Sequence, residues 1–166
     1  MNLPDNLTIR PAIQDDVPLI LTLVKELAEY EQLGHTVTAT EESLRESLFG
    51  EKPAAEVLIA EVNGQPVGFA NFFRSFSSFV GRPGLYLDDL YVRPPYRRMG
   101  LGRAMLCHVA AIARDRNAGR FEWIALDWND PAIRFYLKLG AEALEDWTMY
   151  RVTGPALDKL ASGEFD

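Results

Sequence analysis

Cysteine is nearly absent from this chain of 166 residues: Cys107 is the only one. A single thiol excludes an internal disulfide framework and leaves a thiolate metal site without partners. Histidine is almost as scarce. His35 and His108 have neither metal-ligand spacing nor a nucleophile to serve, so no metal is expected. No apolar run approaches the roughly 18 residues of a membrane span, and the opening "MNLPDNLTIRPA" lacks a secretory pattern. Repeats and low-complexity tracts are missing too. These absences lead to an expected cytoplasmic location with no membrane partner. Positive charge is in deficit, with 17 Lys and Arg against 24 Asp and Glu, a net charge of −7. Such a balance argues against a general nucleic-acid surface and suits attraction of a small cation.

What is present reads as one domain over 1–166, long enough to bury a core without staples. "LTIRPA" (7–12) predicts a strand, and apolar spacing over 15–32 predicts a helix. Thr40 is placed to cap a short helix that stops at Gly50. Asn63-Gly64 predicts a hairpin between two strands, since both residues tolerate positive φ. "RSFSSFVGRPG" (74–84) reads as a loop, and "LYLDDLYV" (85–92) as a strand. A helix over 102–118, carrying Cys107 as packing, precedes a strand over 121–128. The next helix, over 131–139, takes Asp130 as its N-cap and Pro131 as its first residue. "ALEDWTMYRV" (143–152) supplies closing strand material. Helices early, a meander, then β-α-β-α predict an α/β or α+β fold, one sheet between helices.

The charge is uneven. Arg93, Arg97, Arg98 and Arg103 fall within "RPPYRRMGLGR" (93–103), which contains no acid. This cluster is either a solvated basic loop or the seat of an anion. A strand, a glycine-rich turn and a helix in succession favour phosphate, because backbone N–H groups face the ligand and the helix N-terminus adds positive potential. A P-loop needs Lys and then Ser or Thr after its second glycine, where this chain has Arg103-Ala104. A dinucleotide fingerprint needs a third glycine where this chain has Leu106. Both patterns fail.

The remaining pattern, Arg97-x-x-Gly100-x-Gly102, resembles the pyrophosphate-binding motif of the GNAT N-acetyltransferases, which use acetyl-CoA. "YLDDLYVRPPYRRMGLG", "LDWNDPAIRFYLKLGA", "IRPA" and "KELAEYE" extend the resemblance over nearly the whole chain, toward the spermidine/spermine and thialysine acetyltransferase branch. The resemblance implies a mostly antiparallel mixed sheet flanked by helices, with two neighbouring strands splayed to admit a thioester. It implies that Met99, Gly100, Leu101, Gly102 and Arg103, with Arg97 and Arg98, hold the pyrophosphate. Leu90, Tyr91 and Val92 would bond the pantetheine arm, with amides near Leu90 and Tyr91 facing the oxyanion. Asn129 would touch the cofactor, and a homodimer is the implied assembly.

Asp88 and Asp89 lie in an apolar strand, where alternation points them to opposite faces. They are either structural aspartates, at a bulge or hydrogen-bonded, or acids that serve an amine. An alkylammonium with a pKa near ~10 must lose a proton before it attacks, so a carboxylate or carboxylate-bound water is useful there. The family usually has Glu at the first position. Asp88 is shorter and favours a bridging water, and the base is left open between the two. Tyr136 is either a tyrosine packed on Phe135 or, by the resemblance, the acid for the CoA thiolate. Tyr30 and Glu31 match acceptor-pocket positions but equally suit an exposed helix end. The function expected is acetyl transfer from acetyl-CoA to a primary amine of a small cation, in a ternary complex. Peptide or protein acetylation and a non-catalytic acyl-CoA module are the alternatives.

Overall fold

Turn chemistry and strand alternation build the sheet. The computed structural model describes residues 3–163 and contains two compact units, one reaching Ile124 and the other beginning at Ala125. In the first unit, strand β1 (Leu7–Pro11) leads through a short 3-10 turn into helix α1 (Val17–Tyr30), and helix α2 (Glu41–Phe49) follows. Strands β2 (Glu56–Val62), β3 (Gln65–Ser77) and β4 (Arg82–Val92) form an antiparallel meander. Helix α3 (Leu101–Asp115) then crosses to strand β5 (Phe121–Trp123), which pairs parallel to β4. The spatial order is β1-β2-β3-β4-β5. The mixed, mostly antiparallel sheet matches the expected fold class.

Local signals act where they were expected. Asn63 and Gly64 have φ of 54° and 73°, as a two-residue hairpin of this hand requires. Thr40 caps α2 by accepting from the Ser43 N–H at 3.1 Å, while Ser43 Oγ accepts in return from the Thr40 N–H. Both faces of the sheet are covered, which is why Val57 to Ala60 are buried without alternation. On one face Ile20, Leu23 and Leu27 of α1 pack on the cross-strand row Ile59, Phe69 and Tyr91. Each such fully buried side chain contributes about 1.5–3 kcal/mol. Helix α3 buries Met105 and Val109 and contacts β2, β3 and β4.

In the first unit four expectations are corrected. Residues 74–84 are not a loop: β3 and β4 run on to Ser77 and Arg82, with Phe76 paired to Pro83. Cross-strand pairing overrides the turn-rich composition there. The strand expected over 121–128 stops at Trp123, because the ladder with β4 ends at the Leu87–Trp123 pair. Cys107 is exposed rather than packed. Asp88 and Asp89 do not simply alternate, because Asn71 pairs with Asp89 whereas Phe72 pairs with Leu87. Asp88 is therefore the extra residue of a β-bulge.

The bulge changes which residues serve which face. Asp89 and Tyr91 belong to the α1 side, with Asn71 and Phe69 opposite them. Leu87 and Leu85 are buried with Phe72 on the other side.

The second unit contains helix α4 (Asp130–Lys138) and helix α5 (Pro155–Ser162), the latter not anticipated. Asn129, not Asp130, caps α4: its Oδ1 accepts from the Ala132 N–H at 3.4 Å. Residues 143–152 form no strand, since no described strand in this unit offers them a ladder.

Candidate active site

The turn between β4 and α3 is held by its arginines as much as it presents them. Arg93 donates to both carboxylate oxygens of Glu26 on α1, at 2.9 and 2.7 Å, and to the Pro66 carbonyl. Arg97 Nε donates to the Val92 carbonyl at 2.8 Å, and its guanidinium lies 4.3 Å from the centroid of the Tyr30 ring. Two of the four clustered arginines thus brace the end of β4 against α1, and the exposed pair is Arg98 and Arg103. Cation–π stacking of this kind is worth about 0.5–1 kcal/mol at an exposed site. Tyr30→Leu should lower unfolding free energy by that amount in chemical denaturation, while Tyr30→Phe, which keeps a ring, should lower it less.

Beyond Arg97 the chain turns sharply. Arg98 and Gly100 have φ of 64° and 85°, and Gly100 is the N-cap residue of α3. No side chain caps this helix start. The first-turn amides of a helix have no intrahelical partner and carry its positive end. A Cβ added at Gly102 would meet nothing within 4 Å, so the helix start faces open space. This start can receive a diphosphate, through the backbone of Leu101, Gly102 and Arg103 with Met99 and Arg98 at the rim. The donor set fits acetyl-CoA.

Next to it, the edge of β4 from Asp88 to Val92 has no strand partner on the β5 side among the described residues, because β5 pairs only with Leu85 to Leu87. Leu90, Tyr91 and Val92 lie on this edge, as a strand that bonds an amide-bearing arm must. On the α1 face of the same stretch, Asp89 is half-buried, and Asp88 is exposed. Burial first, then the neighbouring charges of Asp88 and Glu31, push the Asp89 carboxyl up to about 6 against the opposing pull of its Asn71 hydrogen bond. Burial also pushes up the Glu31 carboxyl at the end of α1. Three acids from two elements thus share one electrostatic neighbourhood, with Tyr30 and Arg97 at its border. Among the described residues no group of His, Cys, Asp and Glu could hold a metal ion. No described helix is long and apolar enough to cross a membrane.

In the second unit, Asn129 is the N-cap of α4. Tyr136 lies within that helix, with its ring 5.2 Å from the ring of Phe135. One residue at the acids went unrecognised in the sequence. Asn71 donates to Asp89 Oδ2 at 3.1 Å and lies 3.5 Å from Asp88 Oδ2. A lone amide inside the apolar run "VGFANFF" was the signal for it.

A strand whose pairing with its neighbour ends at Leu87, acids on its unpaired stretch, a glycine turn and a helix start that no side chain caps describe an acyl-CoA-dependent transferase. The family model "Acetyltransferase (GNAT) family" matches residues 22–141, and the chain belongs to that family. It is similar to the thialysine N-epsilon-acetyltransferase of Sus scrofa, 39% identical over 164 residues that cover 92% of this chain and 96% of that protein. An L-ornithine N5-acetyltransferase of Arabidopsis thaliana is 32% identical, with 92% of this chain and 86% of that protein covered. Among solved structures, an integron cassette protein from the mobile metagenome of V. cholerae superposes with a TM-score of 0.79 at 28% identity, covering 94% of this chain and 98% of that one.

Proposed function

We propose that the protein transfers the acetyl group of acetyl-CoA to a primary amine of a small dibasic molecule, a polyamine or a lysine-like amino acid such as thialysine. The observation that carries this is the acidic group of Asp88 and Asp89 on β4 with Glu31 at the end of α1, on the strand that leads into the uncapped start of α3. A second amine or ammonium on the acceptor finds a carboxylate there, while the first is delivered to the thioester. The names of the relatives, which act on thialysine or ornithine, support the same acceptor class.

Within this proposal Asp89 is the base and Asp88, on the exposed side, orients the cation. A base works best when its pKa lies near the operating pH, and the Asp89 carboxyl at about 6 satisfies this. The burial that raises it also lowers the pKa of an ammonium placed beside it, so the two values approach each other. The freed amine attacks the thioester carbonyl carbon. The oxyanion formed is met by amides of the β4 edge near Leu90 and Tyr91, and the C–S bond then breaks. Tyr136 would return a proton to the departing thiolate, and Asn129 would contact the cofactor. A homodimer in the cytoplasm is the expected assembly and location. The exposed Leu144, Trp147 and Tyr150 supply apolar surface that a second copy would cover.

The test is an acceptor panel of polyamines, diamino acids, aminoglycosides, neutral monoamines and peptides, read as thiol release from acetyl-CoA. Dibasic amines should show the highest kcat/KM. That value should fall as salt is raised from low to about 0.5 M, since attraction across a partly exposed acidic site is screened. Preference for peptides or neutral amines would remove this acceptor class and leave the family unaffected.

A further inference from the structure

Asn71 interrupts an otherwise apolar stretch of β3 and sits opposite Asp89 on the face shared by Val57, Phe69 and Tyr91. Neither cofactor binding nor acceptor recognition, as described above, uses it. Its Nδ2 donates to Asp89 Oδ2 at 3.1 Å, with Asp88 Oδ2 at 3.5 Å. Its Oδ1 is buried and accepts no hydrogen bond from the described residues. An ionised carboxylate only accepts, so the amide has to present its nitrogen to the pair, and the carbonyl is left over. A buried acceptor without a donor is destabilising, and a leucine of nearly the same size would avoid that. Packing alone therefore does not account for an asparagine here.

The location supplies the reason. At a bulge the extra residue has no ladder position, so the ladder sets Asp89 opposite Asn71 but does not itself set the placement of Asp88 beside it. We propose that Asn71 is a positioning residue for acetyl transfer, its amide spanning the β3–β4 bulge to keep Asp89 ionised and aimed, with Asp88 beside it. The charged groups facing Asp89 are Asp88 from its own strand and Glu31 from the end of α1, and both oppose its ionisation. The Asn71 hydrogen bond acts against them and against burial. Once Asp89 has taken the ammonium proton it becomes a donor. A half-turn of the amide then offers it Oδ1, so one side chain can serve both protonation states.

This inference rests on the acetyl-transfer function proposed above, and its test separates the two. kcat/KM for the best amine is measured against pH, and the Asp89 carboxyl is titrated independently by 13C NMR. In Asn71→Leu the acidic limb and the NMR midpoint should both move up by about one pH unit, the size expected when one hydrogen bond to a charged group is lost. kcat/KM at pH 6 should fall about fivefold from the lost ionised fraction, while acetyl-CoA Kd stays unchanged. Asn71→Ala serves as the second variant should the leucine variant not fold. An unmoved midpoint in a folded variant overturns the role of Asn71, whatever happens to the rate. A rate loss with an unmoved limb also overturns it, making Asn71 a packing residue. Absence of amine acetylation by the unaltered protein would instead sink the proposed function, and the NMR midpoint would still decide whether Asn71 controls Asp89.

Discussion

Gly102→Glu should abolish acetyl-CoA binding while leaving the protein folded, and somewhat more stable. Gly102 stands in the first turn of α3, where a new Cβ meets nothing within 4 Å. Replacing glycine inside a helix gains up to ~1 kcal/mol, and an acid in the first turn complements the helix dipole. The same carboxylate would project into the space proposed for the diphosphate. A like charge at about 4 Å in a site of intermediate polarity opposes binding by about 4 kcal/mol, roughly a thousandfold in Kd. Calorimetry with acetyl-CoA and a thermal melt of the same sample check both halves. Unchanged affinity in the folded variant would place the cofactor elsewhere and return Arg98 and Arg103 to being solvated side chains.

Asp89→Asn should separate activity from stability in opposite directions. A carboxyl pushed up to about 6 from 3.8 holds a proton in the folded protein that the unfolded chain has already released between those two values. Stability contributed by this group is therefore present at low pH, falls as pH rises through that window, and stays lower above it. Asparagine removes the penalty, so the variant should be more stable at pH 7, by up to about 3 kcal/mol, with the difference vanishing below about pH 4. Loss of a general base costs about 10²–10⁴-fold in rate, and kcat should fall by that order if chemistry limits turnover. In the unaltered protein kcat/KM should rise with pH through about 6 as Asp89 ionises. Denaturant titrations at pH 4 and pH 7, beside steady-state rates, decide it. Stability that falls at pH 7 would mean that Asp89 is a structural acid, and near-normal turnover would move the base to Asp88 or Glu31.

Short-range chemistry was legible in the amino-acid order, and long-range pairing was not. Asn63-Gly64, Thr40 and Gly100-x-Gly102 act through their own backbone angles and caps, so neighbouring residues suffice to read them. The candidate turn is legible in the same way, whereas the two aspartates stand out as acids in an apolar strand whose facing the alternation misreads. The arginine cluster misled in part, because Glu26, which neutralises Arg93, lies 67 residues away. Residues 74–84 look like a loop by composition and become a hairpin because each half finds the other. Residues 143–152 look like a strand and find no described partner. Asn71 shows in the sequence only as a lone amide in an apolar run, since its meaning depends on standing across from a bulge that no periodicity reveals.

The extra residue at Asp88 also shifts β4 by half a pleat period, so the strand runs in two phases. Its first half, with Leu85 and Leu87, faces the side of Phe72, and its second half, with Asp89 and Tyr91, faces α1. Substitutions in one half leave the facing of the other untouched, so chemistry and packing can drift separately along a single strand. Length changes have no such freedom. Losing one residue here would restore a uniform phase and turn one half over, carrying Leu87 and Leu85 to the α1 face or driving Asp89 to the opposite one. Side chains on this strand are negotiable one at a time, but its residue count is not.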